Sequence, residues 1–484
     1  MDHTNLHPTT STIGTYTEES RVEQATHNID ANSSTTSTMS HNDTTAFDEK
    51  PAESTASNGV LQKTDDGNNH KIEPEKPKES VHSVSSVPNG GTQAWLQVLA
   101  AHFLFFNSWG IVNTFGSYET YYSVDLLSTS SSSAISWIGS IQAFLLLFVG
   151  ALTGPLYDAG YARHLTISGS FFLVFGQMML SLCKEYWQVL LAQGFCVGIG
   201  CGLLCVPSTA ILAQYFSTKI ATAVGFTAAG SSFGGIIYPV VFHKLQPSIG
   251  FPWATRVIGF LILVTQLIAI AVYKVRILPE KKRAILDFAA FKEPAYVIFV
   301  FSAFVGFMGL YQPFFYVQTF AIEKHITNAN LGFYILAIMN ATSAFGRIIP
   351  GILSDKIGPM NVIIPCAFIS AMLCLCTIAV KNAAGLVVLM AFYGFFSGTF
   401  VSSPNAIVVH LSAQNRAKIG TRLGQMYGVI SFGMLIGTPV GGVVLDDHGY
   451  TSLWIFSGVL VAASGAFMIV SRKFYRGLGL MTKA

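Results

Sequence analysis

The chain has 484 residues, of which 51% are hydrophobic and 11% charged, with a net charge of +3. Soluble domains carry about 25% charged residues, so this balance excludes an ordinary globule, and no nucleic-acid partner is expected. The charge is also divided, residues 1–91 being net −8 and the remainder net +11.

Residues 1–91 are rich in Ser, Thr, Asn and acids and nearly free of aromatics. A segment with so little apolar surface cannot offset its ordering entropy, so it reads as a disordered cytosolic tail. It has no early apolar run, so no cleavable signal peptide is expected. From Trp95 onward, apolar runs of about 20 residues recur, the length needed to cross hydrocarbon. They predict helices near 95–117, 134–153, 164–183, 187–213, 220–243, 253–275, 294–320, 330–353, 360–380, 385–411, 420–445 and 451–471. The loops that follow even-numbered helices, with the C-terminus, carry sixteen Lys and Arg, whereas those that follow odd-numbered helices, with their helix ends, carry only Lys184, Lys244, Arg256, Lys324 and Lys381. The positive-inside rule then puts both termini in the cytosol, where the sequons at Asn32 and Asn42 escape glycosylation. All seven cysteines fall in predicted helices without zinc-ligand spacing, which suits packing. No metal site, cofactor site or paired acid/base set emerges, so no enzyme is expected.

The chain repeats itself. Gly154-Pro-Leu-Tyr-Asp158-Ala-Gly160 ends the second predicted helix, and Gly351-Ile-Leu-Ser-Asp355-Lys356-Ile-Gly358 ends the eighth, at an offset of 197 residues. Pro207 in the fourth and Pro404 in the tenth share that offset. Two unrelated motifs at one spacing indicate a duplicated six-helix unit: an N-terminal half over 92–275, a basic cytosolic linker over 276–293, a C-terminal half over 294–476 and a tail over 477–484. Gly154, Asp158 and Arg163, with Gly351, Asp355 and Lys356, read as a conformational latch, each aspartate leaving its helix where neighbouring helix N-termini favour negative charge. Glycines at four-residue spacing (Gly230 and Gly234, Gly394 and Gly398, Gly433 and Gly437) predict close helix contacts.

These motifs resemble the major facilitator superfamily. The stretches Phe105-Phe-Asn107-Ser-Trp109-Gly110, Ala229-Gly230-Ser-Ser-Phe-Gly234-Gly235 and Gly346-Arg347-Ile-Ile-Pro350-Gly351 further resemble the fungal monocarboxylate transporter-like family. The resemblance implies an all-α membrane protein with twelve transmembrane helices in two six-helix halves, the major facilitator fold, working by alternating access. Animal members of that family use a first-helix lysine and an Asp/Arg pair in the eighth helix. Arg347 matches the arginine, while Ser343 and Asn113 stand where the other two charges would be. Those departures turn the reading from lactate towards efflux of a fungal secondary metabolite or organic anion. Proton-coupled uptake of a monocarboxylate or vitamin-like solute such as riboflavin is the alternative, and a transport-inactive nutrient sensor is the rival from another class.

Polar groups inside apolar runs are the candidate substrate-binding residues: Arg347, Asn107, Asn113, Tyr311, Gln312, Tyr316, Asn340, Ser343, Tyr393 and Asn405. Arg347 lies about 12 Å along its helix from Asp355, at about 1.5 Å per residue, deep enough to require a partner or an anionic solute. Phe314, Phe315, Tyr316 and Phe392 offer rings to a flat ligand. His102, whose ordinary pKa is near neutrality, is a candidate proton relay, with protons as coupling ion. Pro207, Pro239, Pro313, Pro404 and Pro439 are expected to bend helices. The expected setting is a multi-pass protein of the plasma membrane, with a small organic solute and the lipid bilayer as partners and no cofactor.

Overall fold

The computed structural model describes residues 88–216, 219–276, 284–413 and 418–477, apart from the side chains of Ala221, Ala329 and Asp355. The expectations for the N-terminal tail up to residue 87, for Lys281, Lys282 and Arg283, for Arg416, for residues 478–484 and for the Asp355 carboxylate lie outside the described residues.

Among the described residues the fold is all helical. The α-helices are α1 (Thr92–Asn113), α2 (Phe115–Tyr121), α3 (Ser132–Leu156), α4 (Ala162–Leu180), α5 (Tyr186–Val189), α6 (Gly198–Ala213), α7 (Ile220–Val272), α8 (Pro294–Leu310), α9 (Gln312–Glu323), α10 (Ala329–Ile357), α11 (Pro359–Cys376), α12 (Ala383–Leu411) and α13 (Ile419–Arg476). Wide π-helical turns follow α2 (Tyr122–Leu126), α3 (Tyr157–Tyr161) and α5 (Leu190–Val197). Nine helical stretches among the described residues are long and apolar enough to cross a bilayer. Three of them are far longer than one crossing, at 49, 51 and 58 residues, against about 20 for a bilayer. Each folds back at a glycine with positive φ: Gly160 (94°), Gly250 (76°) and Gly449 (75°). An L side chain rarely adopts that conformation, so glycine is the residue that permits the crease.

Backbone breaks recur at a spacing close to that of the sequence motifs. The α1–α2 break at Thr114 and the α8–α9 break at Tyr311 are 197 residues apart. Gly358, with φ 97°, lies 198 residues after Gly160, and Gly449 lies 199 after Gly250. Pro313 stands at the start of α9, where its missing N–H is harmless, while Pro207, Pro239, Pro404 and Pro439 lie inside helices.

Helix pairs within each set pack through glycine. Methyls added at Gly230 and Gly234 would strike the carbonyls of His102 and Phe106 on α1, and at Gly433 and Gly437 those of Phe304 and Met308 on α8. In lipid, where burial of apolar surface drives little, such backbone proximity supplies the dispersion contacts that hold helices together.

The seam between α1–α7 and α8–α13 is formed by α2 with α9, α3 with α13, and α7 with α10. It is not equally tight along its depth. One face of the molecule carries the described ends of the chain together with the ends of α6 and α7, where the Asn89 N–H bonds the Tyr215 carbonyl at 3.0 Å and the Tyr215 hydroxyl bonds that of Lys274 at 2.8 Å; we call it the basic face. At the opposite face, a methyl on Gly442 would lie 2.6 Å from the Ser133 Cα, and one on Gly235 2.7 Å from the Asn340 side chain. Gly116 presses on the Phe314 carbonyl. Towards the basic face a methyl on Gly424 would meet Ala151 at 3.5 Å, and one on Gly225 would meet Ile348 at 3.9 Å. The two sets of helices are therefore pinched together at the far face and relaxed at the basic one.

Before α8, the connector is tied to α13 by a charge cluster. The buried Arg422 guanidinium donates to Asp287 at 3.1 Å and to both Glu293 oxygens at 2.9 and 2.5 Å, and Lys418 donates to Asp287 at 2.9 Å. Burial by itself raises the Asp287 carboxyl, but hydrogen bonds from Lys418 and Arg422 outweigh it and hold the group below its ordinary 3.8.

Two expectations follow. Gly346→Val should drive α10 from α12, because even a Cβ there meets the Phe395 backbone; overpacking of this kind costs roughly 1–3 kcal/mol, seen as a melting temperature several degrees lower in detergent. Since folding depresses the Asp287 value, its contribution is complete above about 3.8 and lost as pH falls through the lower folded value. The difference in melting temperature between wild type and Asp287→Asn should therefore stay level from neutral to mildly acid pH and shrink only below the ordinary carboxylate range.

Candidate functional site

Midway along the seam, residues from both sets of helices enclose a cavity. Phe105 and Trp109 of α1, Leu147 of α3, and Cys205 and Thr209 of α6 face Phe307 of α8, Phe400, Val401, Pro404 and Asn405 of α12, and Tyr427 and Ile430 of α13. Phe105 and Trp109 are one turn apart on one face of α1, and so are Cys205 and Thr209 on α6 and Val401 and Asn405 on α12, which is why each of these helices offers the cavity a pair of side chains. The cavity measures about 30 Å³, room for water rather than for a solute. Its polar groups are few: the Tyr427 hydroxyl donates to Asn405 Oδ1 at 2.6 Å, and Thr209 stands across from them. Such a lining suits a flat, largely apolar molecule with one or two hydrogen-bonding groups.

One turn beyond Trp109 towards the far face lies a polar patch. Asn113 and Asn340 meet over Gly235, where a methyl would be 3.1 Å from Asn113 Cβ and 2.7 Å from Asn340 Oδ1. The Asn113 amide nitrogen, Asn340 Oδ1 and Ser343 Oγ are buried without partners. Unspent donors and acceptors cost free energy unless water or a solute completes them. On the same face of α10, Arg347 is 3% exposed and reaches across the seam to α7, donating to the Ala228 carbonyl at 3.2 Å and to the Ser231 hydroxyl. Its Nε has no partner.

The structure thus brings together Asn113, Asn340 and Arg347 along the seam, with Ser343 on the same helix packed against Gly398 of α12, Tyr311 among the rings of Phe307 and Phe314, and Asn405 in the cavity. It employs the other candidates elsewhere. Asn107 is spent on the Phe103 carbonyl at 2.8 Å, Thr265 at 3.0 Å and Tyr238. Gln312 Nε2 donates to the Gly437 carbonyl at 2.7 Å, Tyr316 to that of Thr438 at 3.1 Å and Tyr393 to that of Leu310 at 2.7 Å, all within α8–α13. His102 is a packing histidine, its Nδ1 bonded to the Phe226 carbonyl at 2.8 Å beside the Phe233 ring. Phe392 points outward at 55% exposure, and Phe314 and Phe315 are packed in the far-face seam, Phe315 at 4.7 Å from Phe115. Of the latch residues, Asp158 is buried in the wide turn after α3, near Gly154, whereas Arg163 and Lys356 are exposed and Gly351 faces open space.

The cavity rings Phe105, Trp109, Phe307 and Phe400 and the hydroxyl of Tyr427 were missed, the rings because in an apolar helix they look like any packing aromatic. Glu119 was missed despite a usable signal, a carboxylate inside an apolar run. It is 1% exposed at the far-face pinch and accepts from Thr319 across the seam at 3.0 Å, with Thr120 and Thr319 3.1 Å apart and Ser117 3.4 Å from Gln318. No cation among the described residues pairs with it.

A family model described as the Major Facilitator Superfamily matches residues 98–421 and 344–477. The MFS-type transporter dbaD of Emericella nidulans is 47% identical over 82% of this chain and 90% of its own. The aspyridones efflux protein apdF of the same fungus is 38% identical over 82% of each chain, and the fujikurins efflux protein of Gibberella fujikuroi 35% identical over 88% of this chain and 93% of its own. Among solved structures, the nucleoside transporter NupG superposes with a TM-score of 0.62 at 16% identity, over 79% of this chain and all of that one; at that identity the likeness is one of fold.

Arg347→Ala should leave membrane insertion and gel-filtration behaviour intact while abolishing solute flux, because the strut between α7 and α10 is gone. Arg347→Lys, which keeps the charge but loses the planar fork, should cut the flux about tenfold. Vesicle transport assays on equal amounts of inserted protein check both.

Proposed function

The chain belongs to the Major Facilitator Superfamily, and from that premise we propose that it exports a small organic solute, in the first place a fungal secondary metabolite or organic anion, by alternating access. The observation that carries this reading is the aromatic cavity enclosed by both sets of helices, with Asn405 and Tyr427 as its hydrogen-bonding pair. Relatives named for the efflux of aspyridones and fujikurins support the direction and the class of solute.

In this reading there are twelve crossings in two six-helix halves, since the nine apolar stretches include three creased over at Gly160, Gly250 and Gly449. The basic face is cytosolic, both termini lie on that side, and the membrane is the plasma membrane. The seam pinched at the far face then corresponds to a state shut towards the outside. Export requires the pinch to open while the relaxed end closes. Asn113, Asn340 and Ser343 lie along the route that such rocking would expose, which accounts for polar atoms left unspent in the shut state. Arg347 holds α7 to α10 through the exchange, and an anionic group on the solute would compete for it. Asp158 and its counterpart Asp355 act as latches on the basic face. Protons are the proposed coupling ion, with Glu119 as the group that holds one while sealed in the far-face gate, where burial with no cation paired to it among the described residues disfavours the carboxylate, and that exchanges it with the outside when the gate opens.

The direct test is metabolite profiling of cells and medium with and without the gene, followed by flux into inverted vesicles. Deletion is expected to trap a compound inside the cells, and the purified protein is expected to move that compound. An unchanged distribution of every compound would reject export. Trp109→Leu and Phe400→Leu, which keep apolar bulk at these buried positions, should each raise KM about tenfold, from the loss of about 0.5–1.5 kcal/mol of ring contact plus area, measured on equal amounts of folded protein.

A further inference from the structure

A second pocket opens at the far face, wholly within α8–α13. It measures about 430 Å³, within the range of small-molecule sites. Its floor is aromatic: Phe320 lies edge-on to Trp454 at 5.4 Å and to Tyr450 at 5.1 Å. Its mouth is cationic, with Lys324 from the end of α9, Lys381 from the loop before α12, and His448 beside the Gly449 crease. No carboxylate lines it. Glu323, the chain neighbour of Lys324, accepts from the Tyr450 hydroxyl at 2.8 Å.

Three features make this more than a surface dent. Lys324 and Lys381 form no ion pair among the described residues, although this face of the molecule is so poor in basic residues that only five were counted in its loops and helix ends. The helical run that resumes after Gly449 places Tyr450 and Thr451 in the wall, and backbone N–H groups at a helix start favour an anion. Trp454 is fully buried against the pocket, and its indole N–H has no acceptor. An orphan buried donor of this kind is expected to be completed by a ligand.

We infer that this pocket is a binding site for an anionic amphiphile, a carboxylate or phosphate head held by Lys324 and Lys381 over an apolar body resting on Trp454 and Phe320. Because all its lining belongs to one set of helices, the site persists whichever way the central cavity faces. It is therefore separate from the solute path, and its occupancy does not depend on the export reading. Two sources carry the required chemistry: the headgroup and upper chain of an acidic membrane lipid, or a soluble organic acid on the far side.

The full chain in phosphatidylcholine nanodiscs provides the test, read by quenching of Trp454 fluorescence as the difference between wild type and Trp454→Phe. Brominated phosphatidylglycerol should quench, brominated phosphatidylcholine should not, and the double variant Lys324→Ala/Lys381→Ala, both exposed positions, should bind the anionic lipid at least fivefold more weakly with an unchanged melting temperature. Release of the quencher by 1-naphthoate assigns the site to soluble acids as well, and failure of 1-naphthoate to compete assigns it to lipid; either supports the site. Equal quenching of wild type and double variant, or equal quenching by the two lipids, would overturn it.

Discussion

Two helical bundles in lipid gain almost nothing by hiding apolar surface from each other, so they hold together only where backbones come within contact distance. Here that condition is met at one end of the seam. Gly116, Gly235 and Gly442 let α2, α7 and α13 touch their partners there, and hydroxyls such as Thr120 and Thr319 bridge what remains. The rest of the molecule's state follows. The central cavity is reduced to the volume of about one water, Glu119 is sealed in, and a row of amide and hydroxyl atoms has lost its solvent without gaining partners. A pinch built from small residues and weak bonds is also reversible, because undoing it exposes little apolar surface and frees groups that water can satisfy at once.

Much of the architecture was legible in the sequence, because lipid imposes strict length and polarity rules on a crossing segment. The apolar runs located the helices, and the 197-residue offset reappears in the paired backbone breaks at Thr114 and Tyr311. The roles of individual polar residues were far less legible. Sequence marks that Asn107 and Asn113 both lie inside an apolar run, but six residues of helix set them about 120° apart around its axis. One is buried against Thr265 and the other faces the seam. Rotation about a helix axis decides which of two similar amides is spent, and in a helix apolar on all sides no moment reveals it. Tyr316 and Tyr393 were misleading for the same reason: their hydroxyls satisfy carbonyls of neighbouring helices. Cavity aromatics such as Phe307 and Phe400 carry no sequence mark at all, and Trp109 stood out only as part of a family stretch, not as a cavity ring.

Charge was more readable at the membrane edge than inside it. The basic loops announced a side, while the cluster of Arg422, Asp287 and Glu293 shows what part of that charge does. Arg422 is buried where the connector meets the start of α13, and its two carboxylates come from the connector and from the residue just before α8. The ion pairs fasten the incoming chain to α13, which itself forms the seam with α3.

The wide turns have a mechanical consequence. All three described π-helical turns lie in the first set of helices, at Tyr122–Leu126, Tyr157–Tyr161 and Leu190–Val197, while the described 3-10 turns are a short one at Ala290–Lys292 in the connector and one at Thr377–Ala379 in the second set. A π turn spreads the hydrogen-bond ladder and leaves a weak point about which a rod can flex. Among the described residues the wide turns fall on one side of the seam only, so the places where a crossing rod can bend without breaking its ladder are concentrated in the first bundle.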